Sequence, residues 1–427
     1  MKTFQPMFFT SIRNYSKEQF VKDLVAGIIV AIIALPLSIA LALASGVGPE
    51  EGLYTAIVAG FLISFLGGST VQIAGPTAAF ATIVAGIVAA NGISGLAIAT
   101  IMAGVLLVIM GFFKLGDLIR YIPNTITTGF TAGIAVTIAV GQIKDFCGLS
   151  YPAGTVAIET MDKLKAVIAN FGTVNWWAVG VGLGCLLIQI VWPRFSKKIP
   201  ASIIAVLFGI VAVKLFKLPV NTIGDLYTVR SGLPVFHMPE LSGSLLIKML
   251  PNAVTIALLA AIESLLSCVV ADQMVGSTHR PNTELIAQGI GNIGSALFCG
   301  IPATGAIART AANIKNGGRT PVAGMVHALT LVLILVIFMP YVAWIPMPTI
   351  AAILFIVAYN MCQWRPFVKI CKTETPLNVF ILVITFVLTV VFNLVVAIVV
   401  GMIIALPGII KENRKAKRKE KTMEERR

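Results

Sequence analysis

The chain has 427 residues, of which 57% are hydrophobic and only 12% are charged, and its mean hydropathy is +0.94. A soluble protein usually carries about 25% charged residues, so the composition excludes a soluble domain and indicates a helical protein that crosses a membrane many times. The net charge of +14 does not indicate nucleic-acid binding. The basic residues lie at the chain ends and in short connections, where they ordinarily flank membrane spans.

Apolar runs of about 17–25 residues predict the membrane spans, and shorter runs are allowed where a helix is interrupted. In the first half of the chain the predicted spans lie at 24–44, 52–66, 76–90, 95–113, 122–143, 175–192 and 200–216. After a polar loop at 217–246, which is predicted to be extracellular, the second set lies at 247–271, 284–299, 302–313, 321–340, 348–361, 376–391 and 393–410. The sequence therefore predicts fourteen spans, seven in each half.

The charge pattern predicts that both chain ends are cytoplasmic. Connections on the predicted cytoplasmic side are rich in Lys and Arg, whereas the first predicted external connection carries Glu50 and Glu51 and no basic residue. This is the asymmetry of the positive-inside rule. We therefore expect a cytoplasmic N-terminus at 1–23 and a basic cytoplasmic tail at 411–427 beside the lipid surface. Both ends on one side require an even number of spans, and fourteen satisfies this requirement.

Two stretches, Gly75–Phe80 and Ile301–Ala306, look like copies of each other. In each, a proline (Pro76 or Pro302) follows a glycine-interrupted apolar run and precedes small residues. Proline suits the first turn of a helix, so we expect a half-helix to begin at each proline, inside the membrane. Such a start directs unpaired N–H groups and the positive end of the helix dipole inward, which suits an anion. Paired broken helices in matching halves indicate the substrate site of a transporter.

The spacing of prolines indicates an internal repeat. Pro76 and Pro302 are 226 residues apart, and Pro123 and Pro348 are 225 apart. Seven spans per repeat is an odd number, so the second half must enter the membrane in the opposite direction. The predicted fold is therefore all-α and integral to the membrane, with fourteen transmembrane segments in a 7+7 inverted repeat and half-helices at segments 3 and 10, which meet head to head.

Glu263 is the main candidate for coupling transport to protons. It lies midway along a predicted span, where an unpaired carboxylate costs at least a few kcal/mol and must face a cavity or a partner. Desolvation disfavours its charged form, so it would carry a proton near neutral pH. A structural ion pair with Arg309 is the alternative.

The two predicted half-helix starts supply the candidate anion site. Arg309 follows Pro302 by seven residues, about 10 Å along a helix, and would add positive potential near the anion; alternatively it packs on Glu263 or on carbonyl groups of a neighbouring half-helix. Thr77 is either an anion ligand or a helix cap. Ser267 either supports the same site or bonds back to a helix carbonyl. The full set of predicted anion-binding residues is Thr77, Ala78, Ala79, Thr304, Gly305, Ala306 and Arg309, with Pro76, Pro302 and Ser267 in support.

Enzymatic motifs have no support in this chain. Gly289, Gly291 and Gly294 spell the GxGxxG dinucleotide fingerprint, but no strand precedes them and they lie in a predicted span, so close helix packing is the better explanation. There is no HExxH or GxSxG motif, and the cysteine and histidine spacings suggest no zinc site. We expect no enzyme, no catalytic residue, no metal and no cofactor, and a proton gradient as the driving force.

Six stretches resemble the sulfate permease (SulP) family of anion transporters. They are ALPLS at 34–38, GLYTA at 52–56, IAGPTAAF at 73–80, AIESLL at 261–266, ELIAQG at 284–289 and PATGAIARTAAN at 302–313. The similarity runs from about residue 20 to residue 410 and is strongest to the bacterial branch that includes proton-coupled dicarboxylate carriers. It implies a multi-pass protein of the bacterial inner (cell) membrane.

The resemblance also implies a two-domain body that works as an elevator. Segments 1–4 and 8–11, at 24–113 and 247–340, would form a core domain that carries the anion. Segments 5–7 and 12–14, at 114–216 and 341–410, would form a gate domain. Family members place the coupling carboxylate at Glu263 and usually continue into a cytoplasmic STAS domain, which we expect this chain to lack. In animal relatives serines stand at Ala306 and Ala308, so the backbone N–H groups of Thr304 to Ala306 are the expected ligands here.

We therefore expect a secondary active transporter of small anions, proton-coupled through Glu263. The anion would be sulfate by family name, or a C4-dicarboxylate such as succinate or fumarate by the most similar branch. A bicarbonate transporter is the first alternative, although that branch is generally sodium-dependent and has an aspartate in place of Glu263. A nucleobase carrier of the same architecture and a non-transporting membrane sensor or scaffold are the others. The expected partners are the small anion, the lipid bilayer and a second copy in a homodimer, with no nucleic acid.

Overall fold

A computed structural model of the protein describes residues 4–117, 123–152, 157, 159–196, 199–230, 232–240, 242–392, 396–397 and 400–405. The predicted tail at 411–427 and most of the predicted span at 393–410 lie outside these residues.

The described chain consists mostly of helices. The first eight are α1 (Met7–Ser11), α2 (Lys17–Ala44), α3 (Pro49–Leu66), α4 (Ala81–Phe112), α5 (Asn124–Cys147), α6 (Thr160–Ala169), α7 (Trp176–Phe195) and α8 (Ala201–Phe216). The others are α9 (Ile223–Leu226), α10 (Gly243–Val275), α11 (Pro281–Leu297), α12 (Ile307–Lys315), α13 (Val322–Val342), α14 (Met347–Cys362), α15 (Trp364–Thr373) and α16 (Pro376–Val391). Two short strands, β1 (Ala74–Gly75) and β2 (Thr304–Gly305), pair with each other.

Eight helical stretches in the described residues are long and apolar enough to cross a membrane. The count is lower than fourteen partly because several predicted segments are short helices: α8 and α16 have 16 residues each, α11 has 17 and α12 has nine. Predicted segments 3 and 4 form one helical stretch that is interrupted at Gly92, where φ is 68° and ψ is −173°. Gly92 lies in the predicted connection between these two segments, and the fourteen-segment count stays a prediction.

Within the described residues the chain forms two compact units. The larger comprises Met1–Asp117 and Ile138–Val357, and the smaller comprises Leu118–Thr137 and Ala358–Arg427. The candidate site lies wholly in the larger unit, and the division into core and gate domains stays a proposal.

The glycines of α11 permit close contact with two neighbouring helices. A Cβ atom at Gly289 would lie 2.5 Å from the carbonyl oxygen of Gly104 in α4, and one at Gly291 would lie 2.6 Å from Ile63 Cγ1 in α3. A Cβ atom at Gly289 would clash with backbone, and one at Gly291 would force the Ile63 side chain to move, so glycine is favoured at both positions. The GxGxxG sequence therefore serves helix packing, as the sequence predicts.

The two proline-containing stretches meet as an antiparallel pair of strands, with Ala74 opposite Gly305 and Gly75 opposite Thr304. The prediction that a helix begins at Pro302 is wrong, whereas the other predicted start, at Pro76, lies two residues before the observed one. After Pro76, Thr77 is extended and a single 3₁₀ turn at Ala78–Phe80 leads into α4; after Pro302, the chain passes through β2 before α12 begins at Ile307. Pairing with β1 requires extended backbone at Thr304 and Gly305, and this tertiary contact overrides the local preference of Pro302 for a helix start.

Candidate functional site

The start of α12 is positioned by hydrogen bonds from β2 and its flanking residues. The N–H of Ala306 donates to the carbonyl oxygen of Ile73 at 3.0 Å, and the N–H of Gly305 donates to Ser264 Oγ of α10 at 3.1 Å. Two of the three N–H groups predicted as anion ligands, those of Gly305 and Ala306, are therefore already engaged. These hydrogen bonds disfavour Gly305 and Ala306 as anion ligands, and their role stays a prediction; the helix begins two residues after β2 rather than at Pro302.

The free donors of α12 lie further along the chain. The first N–H groups of a helix have no intrahelical partner, and in α12 these belong to Ile307, Ala308 and Arg309. Ile307 and Ala308 are exposed, whereas the residues on either side of them are more deeply buried. These two residues were not predicted as ligands, and the helix boundary is what identifies them.

The helix start predicted at Pro76 is observed two residues later, at Ala78. Ala78 and Ala79 begin the 3₁₀ turn that precedes α4, with Thr77 as the preceding N-cap residue. The N–H groups of such a first turn are the ones that lack intrahelical partners. Thr77 is half-buried and its hydroxyl does not cap its own helix. The alternative that Thr77 is only a helix cap is therefore excluded.

Instead, the Thr77 hydroxyl contacts Glu263. Thr77 Oγ1 donates a hydrogen bond of 2.9 Å to Glu263 Oε2 of α10. This contact connects the candidate coupling carboxylate to the residue at which the first half-helix begins. Both side chains are half-buried, so the carboxylate is neither in the solid core nor fully exposed.

Arg309 does not form an ion pair with Glu263. In the part of the chain that the structure describes, the ion pairs join Lys22 to Glu18 and His279 to Asp272. The structural alternative for Glu263, a salt bridge to Arg309, is therefore not observed.

Arg309 lies in the core, only 1% exposed, and its Nη2 donates to Ser38 Oγ of α2 at 3.1 Å. Its Nη1 lies directly against Gly75 of β1. Nε and Nη1 have no hydrogen-bond partner among the described residues. The guanidinium thus places a positive charge next to the strand pair, and within the described part of the chain these two nitrogens are not used as donors.

A set of small polar side chains holds β1 and β2 against α10. Ser264 Oγ and Thr304 Oγ1 are 2.6 Å apart, and Gln72 Nε2 donates to the Ser264 carbonyl oxygen at 3.0 Å. Ser267 Oγ donates to Thr310 Oγ1 at 3.4 Å rather than to a helix carbonyl. The hydroxyl of Thr304 is fully buried in this set. Thr304 therefore supports the site from β2, and Ser267 supports it from α10.

Sequence reasoning singled out Glu263, Thr77 and Arg309 as candidates but missed the residues that contact the site segments. Ser264, Gln72 and Ser38 are buried, and each contacts a site segment from another helix or strand. Ser264 and Ser38 both lie in stretches that resemble the sulfate permease family, and this resemblance is the signal that could have identified them. Their partners are distant in the sequence, so only the fold identifies their roles.

The assembled site combines one carboxylate, one buried arginine and two helix starts with free N–H groups. Helix starts and an arginine favour a small anion. Glu263 is hydrogen-bonded to Thr77 at one of these helix starts. The charge of the site therefore changes when Glu263 binds or releases a proton. The arrangement thus suits the binding of an anion.

Comparison with known proteins gives the same kind of function. A Bacillus subtilis protein named as a sulfate transporter, YvdB, is 43% identical over 385 residues, which is 89% of this chain and 71% of that protein. The bicarbonate transporter BicA of Picosynechococcus is 33% identical over 373 residues, which is 84% of this chain and 65% of that protein. These relatives are named as transporters, not as enzymes.

Solved structures share the fold. The transmembrane domain of a cyanobacterial bicarbonate transporter, BicA, matches with a TM-score of 0.81 at 30% identity, over 90% of this chain and 98% of that chain. The murine solute carrier 26 family member A9, an anion transporter, matches with a TM-score of 0.86 over 95% of this chain and 71% of that chain. Its identity is 17%, so this likeness shows the fold alone.

Residues 20–385 match the sulfate permease family. With the apolar helices described above, this makes the protein a multi-pass integral membrane protein and an anion transporter. The chain belongs to the sulfate permease family.

Proposed function

We propose that the protein is a secondary active transporter that carries a small anion together with a proton, and that Glu263 is the residue that binds the proton. The observation that supports this proposal is the 2.9 Å hydrogen bond from Thr77 Oγ1 to Glu263 Oε2. It connects a titratable group on α10 to the helix start where the anion would bind.

The proposed coupling is electrostatic. An ionised Glu263 repels an anion that approaches the helix starts, and a proton on Glu263 removes this repulsion. At an effective dielectric constant of about 20, two unit charges about 5 Å apart interact by about 3 kcal/mol. This energy corresponds to roughly a hundredfold in affinity. Proton and anion would therefore bind together, and the proton gradient would drive the anion.

The proposed anion is sulfate or a C4-dicarboxylate such as succinate. Sulfate is supported by the name of the Bacillus relative. Bicarbonate is the second candidate because the bicarbonate transporter BicA is similar to this chain both in sequence and in solved structure. Arg309 and the N–H groups of Ile307 and Ala308 would supply positive potential for any of these anions.

The proposed transport movement is an elevator-like displacement of the core domain, at 24–113 and 247–340, against the gate domain. Thr77, Glu263 and Arg309 all belong to this proposed core domain. We further propose that the protein acts as a homodimer in the bacterial inner membrane, with both termini cytoplasmic.

Uptake of labelled sulfate, succinate and bicarbonate into proteoliposomes tests the proposal. Each anion is offered with and without an inward proton gradient, and bicarbonate also with sodium. We expect one anion to accumulate only with the proton gradient in the wild type. Glu263→Gln keeps a hydrogen-bonding group but cannot titrate, so we expect it to lose gradient-driven accumulation.

The matched control is Glu240→Gln, which removes an exposed carboxylate from the polar loop and should leave uptake unchanged. Gradient-driven accumulation by Glu263→Gln at the wild-type rate would contradict proton coupling through this residue. Accumulation of bicarbonate with sodium alone would favour the second candidate.

A further inference from the structure

A cavity of about 720 Å³ lies in the larger unit, and none of its lining residues belongs to the candidate anion site. It is formed where the end of α5 approaches the starts of α7 and α14. The residues that matter for its chemistry are Asp145, Tyr151, Asn175, Trp177 and Asn221. Its volume is that of a site for a small organic molecule, and none of its lining residues takes part in the proposed transport mechanism.

The cavity contains a carboxylate without a partner. Asp145 lies in the last turn of α5 and is partly buried. Within the described residues its side chain makes neither a hydrogen bond nor an ion pair. The end of a helix carries a partial negative charge, which adds to that of Asp145. Both features favour a positively charged ligand.

The neighbouring lysine does not neutralise Asp145 by direct contact. Lys144 Nζ lies over the ring of Tyr151, 4.9 Å from the ring centroid, and not within ion-pair distance of the carboxylate. This contact shows that the face of Tyr151 already attracts a cation. Lys144 is exposed, so another cation can displace it from the ring.

Three aromatic side chains, Tyr151, Trp176 and Trp177, line the same cavity as the carboxylate. Burial, followed by the nearby Asp145 carboxylate, raises the pKa of the Tyr151 hydroxyl, and the same two causes raise the pKa of Tyr227. Trp177 lines the cavity, and it and Trp176 are 59% and 77% exposed, as tryptophans at a membrane–water interface often are. A carboxylate among aromatic rings is the setting in which proteins bind alkylated ammonium groups.

We propose that this cavity binds a molecule with an alkylammonium group, which contacts Asp145 through its charge and Tyr151 and Trp177 through its methyl or methylene groups. The group belongs either to a free organic cation or to a lipid headgroup at the membrane surface. A metal ion is a poorer match, because no cluster of three His, Cys, Asp or Glu side chains suited to a metal occurs among the described residues. The proposal is independent of proton-coupled anion transport.

Tryptophan fluorescence tests the proposal. The chain has five tryptophans, and a background with Trp192, Trp344 and Trp364 replaced by Phe keeps only the two at the cavity. The full chain is placed in nanodiscs of phosphatidylglycerol, which has no ammonium group. One arm titrates soluble choline and its neutral isostere 3,3-dimethylbutanol. The other arm increases the fraction of phosphatidylcholine in the nanodisc.

We expect a saturable fluorescence change with choline or with phosphatidylcholine, and none with the neutral isostere. Asp145→Asn should weaken the affinity at least tenfold. Lys144→Gln should strengthen it severalfold, since the competing ammonium is removed. Asp162→Asn, in the exposed face of α6, is the matched control and should have no effect.

The arm that responds identifies the source of the ammonium group. Saturation with choline indicates a free cation, and saturation with phosphatidylcholine alone indicates a lipid headgroup. A response equal for choline and its isostere, or no response in either arm, overturns the proposal. Opposite effects of the two charge variants exclude simple misfolding as their cause, because misfolding would weaken binding in both.

Discussion

Single residues determine how closely the site segments approach each other. Gly75 lies against the Arg309 guanidinium, and Gly305 lies directly against the side chain of Gln72. In both cases a larger residue would occupy space that a polar side chain already fills. The family motif contains both glycines, but it does not say why they are needed; the strand pair and its buried polar neighbours provide the reason.

We expect Gly305→Ala to destabilise the protein by about 1–3 kcal/mol, as is usual when a well-packed position is overfilled. The added methyl group would displace Gln72, which supports Ser264. The midpoint of thermal unfolding in detergent, compared with that of wild type, measures the effect.

Gly180→Ala is the matched control, since no atom lies near the position of its added methyl group. A second variant, Gly305→Ala with Gln72→Ala, should recover part of the loss because the clash is removed. An unchanged unfolding midpoint for Gly305→Ala would contradict the close contact with Gln72.

At this scale the sequence identifies charged and motif residues but not their partners. An intramembrane carboxylate such as Glu263 stands out because its burial is costly. Arg309 stands out for the same reason, yet its contact with Ser38 and its separation from Glu263 depend on which faces of α2, α10 and α12 meet. That information is tertiary, and no local pattern contains it.

Among the elements, the two half-helices show where local rules fail. Proline predicts a helix start, but Pro302 precedes the extended residues of β2 because β2 pairs with β1. The N–H groups of Gly305 and Ala306, which sequence reasoning assigned to the anion, donate instead to Ser264 Oγ of α10 and to the carbonyl oxygen of Ile73 beside β1. The proposed anion donors therefore shift to Ile307 and Ala308.

We expect Ile307→Pro to weaken anion binding while the fold is retained. Ile307 is the first residue of α12, a position where proline is accepted, and Ala306 before it is extended, as a residue before proline should be. The substitution removes one free N–H. A hydrogen bond to a charged group contributes about 1.5–3 kcal/mol, so KM for the transported anion should rise at least tenfold.

Ile307→Ala separates the loss of the N–H from the loss of the side chain, because alanine keeps the donor. We expect Ile307→Ala to have a KM within a few-fold of wild type in the same proteoliposome assay. Equal KM values for Ile307→Pro and Ile307→Ala would show that this N–H does not contact the anion.

For the whole molecule, composition and hydropathy predict the class of the protein correctly, because a chain with so few charges has no alternative to the membrane. The number of crossings is harder to predict. Because α12 is short and α4 is interrupted at Gly92, the number of apolar runs does not give the number of crossings directly. Charge asymmetry gives the direction of each crossing but not its depth.

Labelling of single cysteines in intact cells tests the fourteen-segment layout, after the six native cysteines are replaced. If Gly92 marks an external connection between segments 3 and 4, Ile93→Cys will react with a membrane-impermeant maleimide, as will Asp162→Cys. Asp117→Cys and Glu374→Cys lie in predicted cytoplasmic connections and should react only after the cells are opened. If α4 instead crossed the membrane once as an uninterrupted helix, Ile93 and Asp117 would not show this pattern. External labelling of Asp117→Cys would thus remove one crossing from the first half, and the 7+7 inverted repeat would then be wrong.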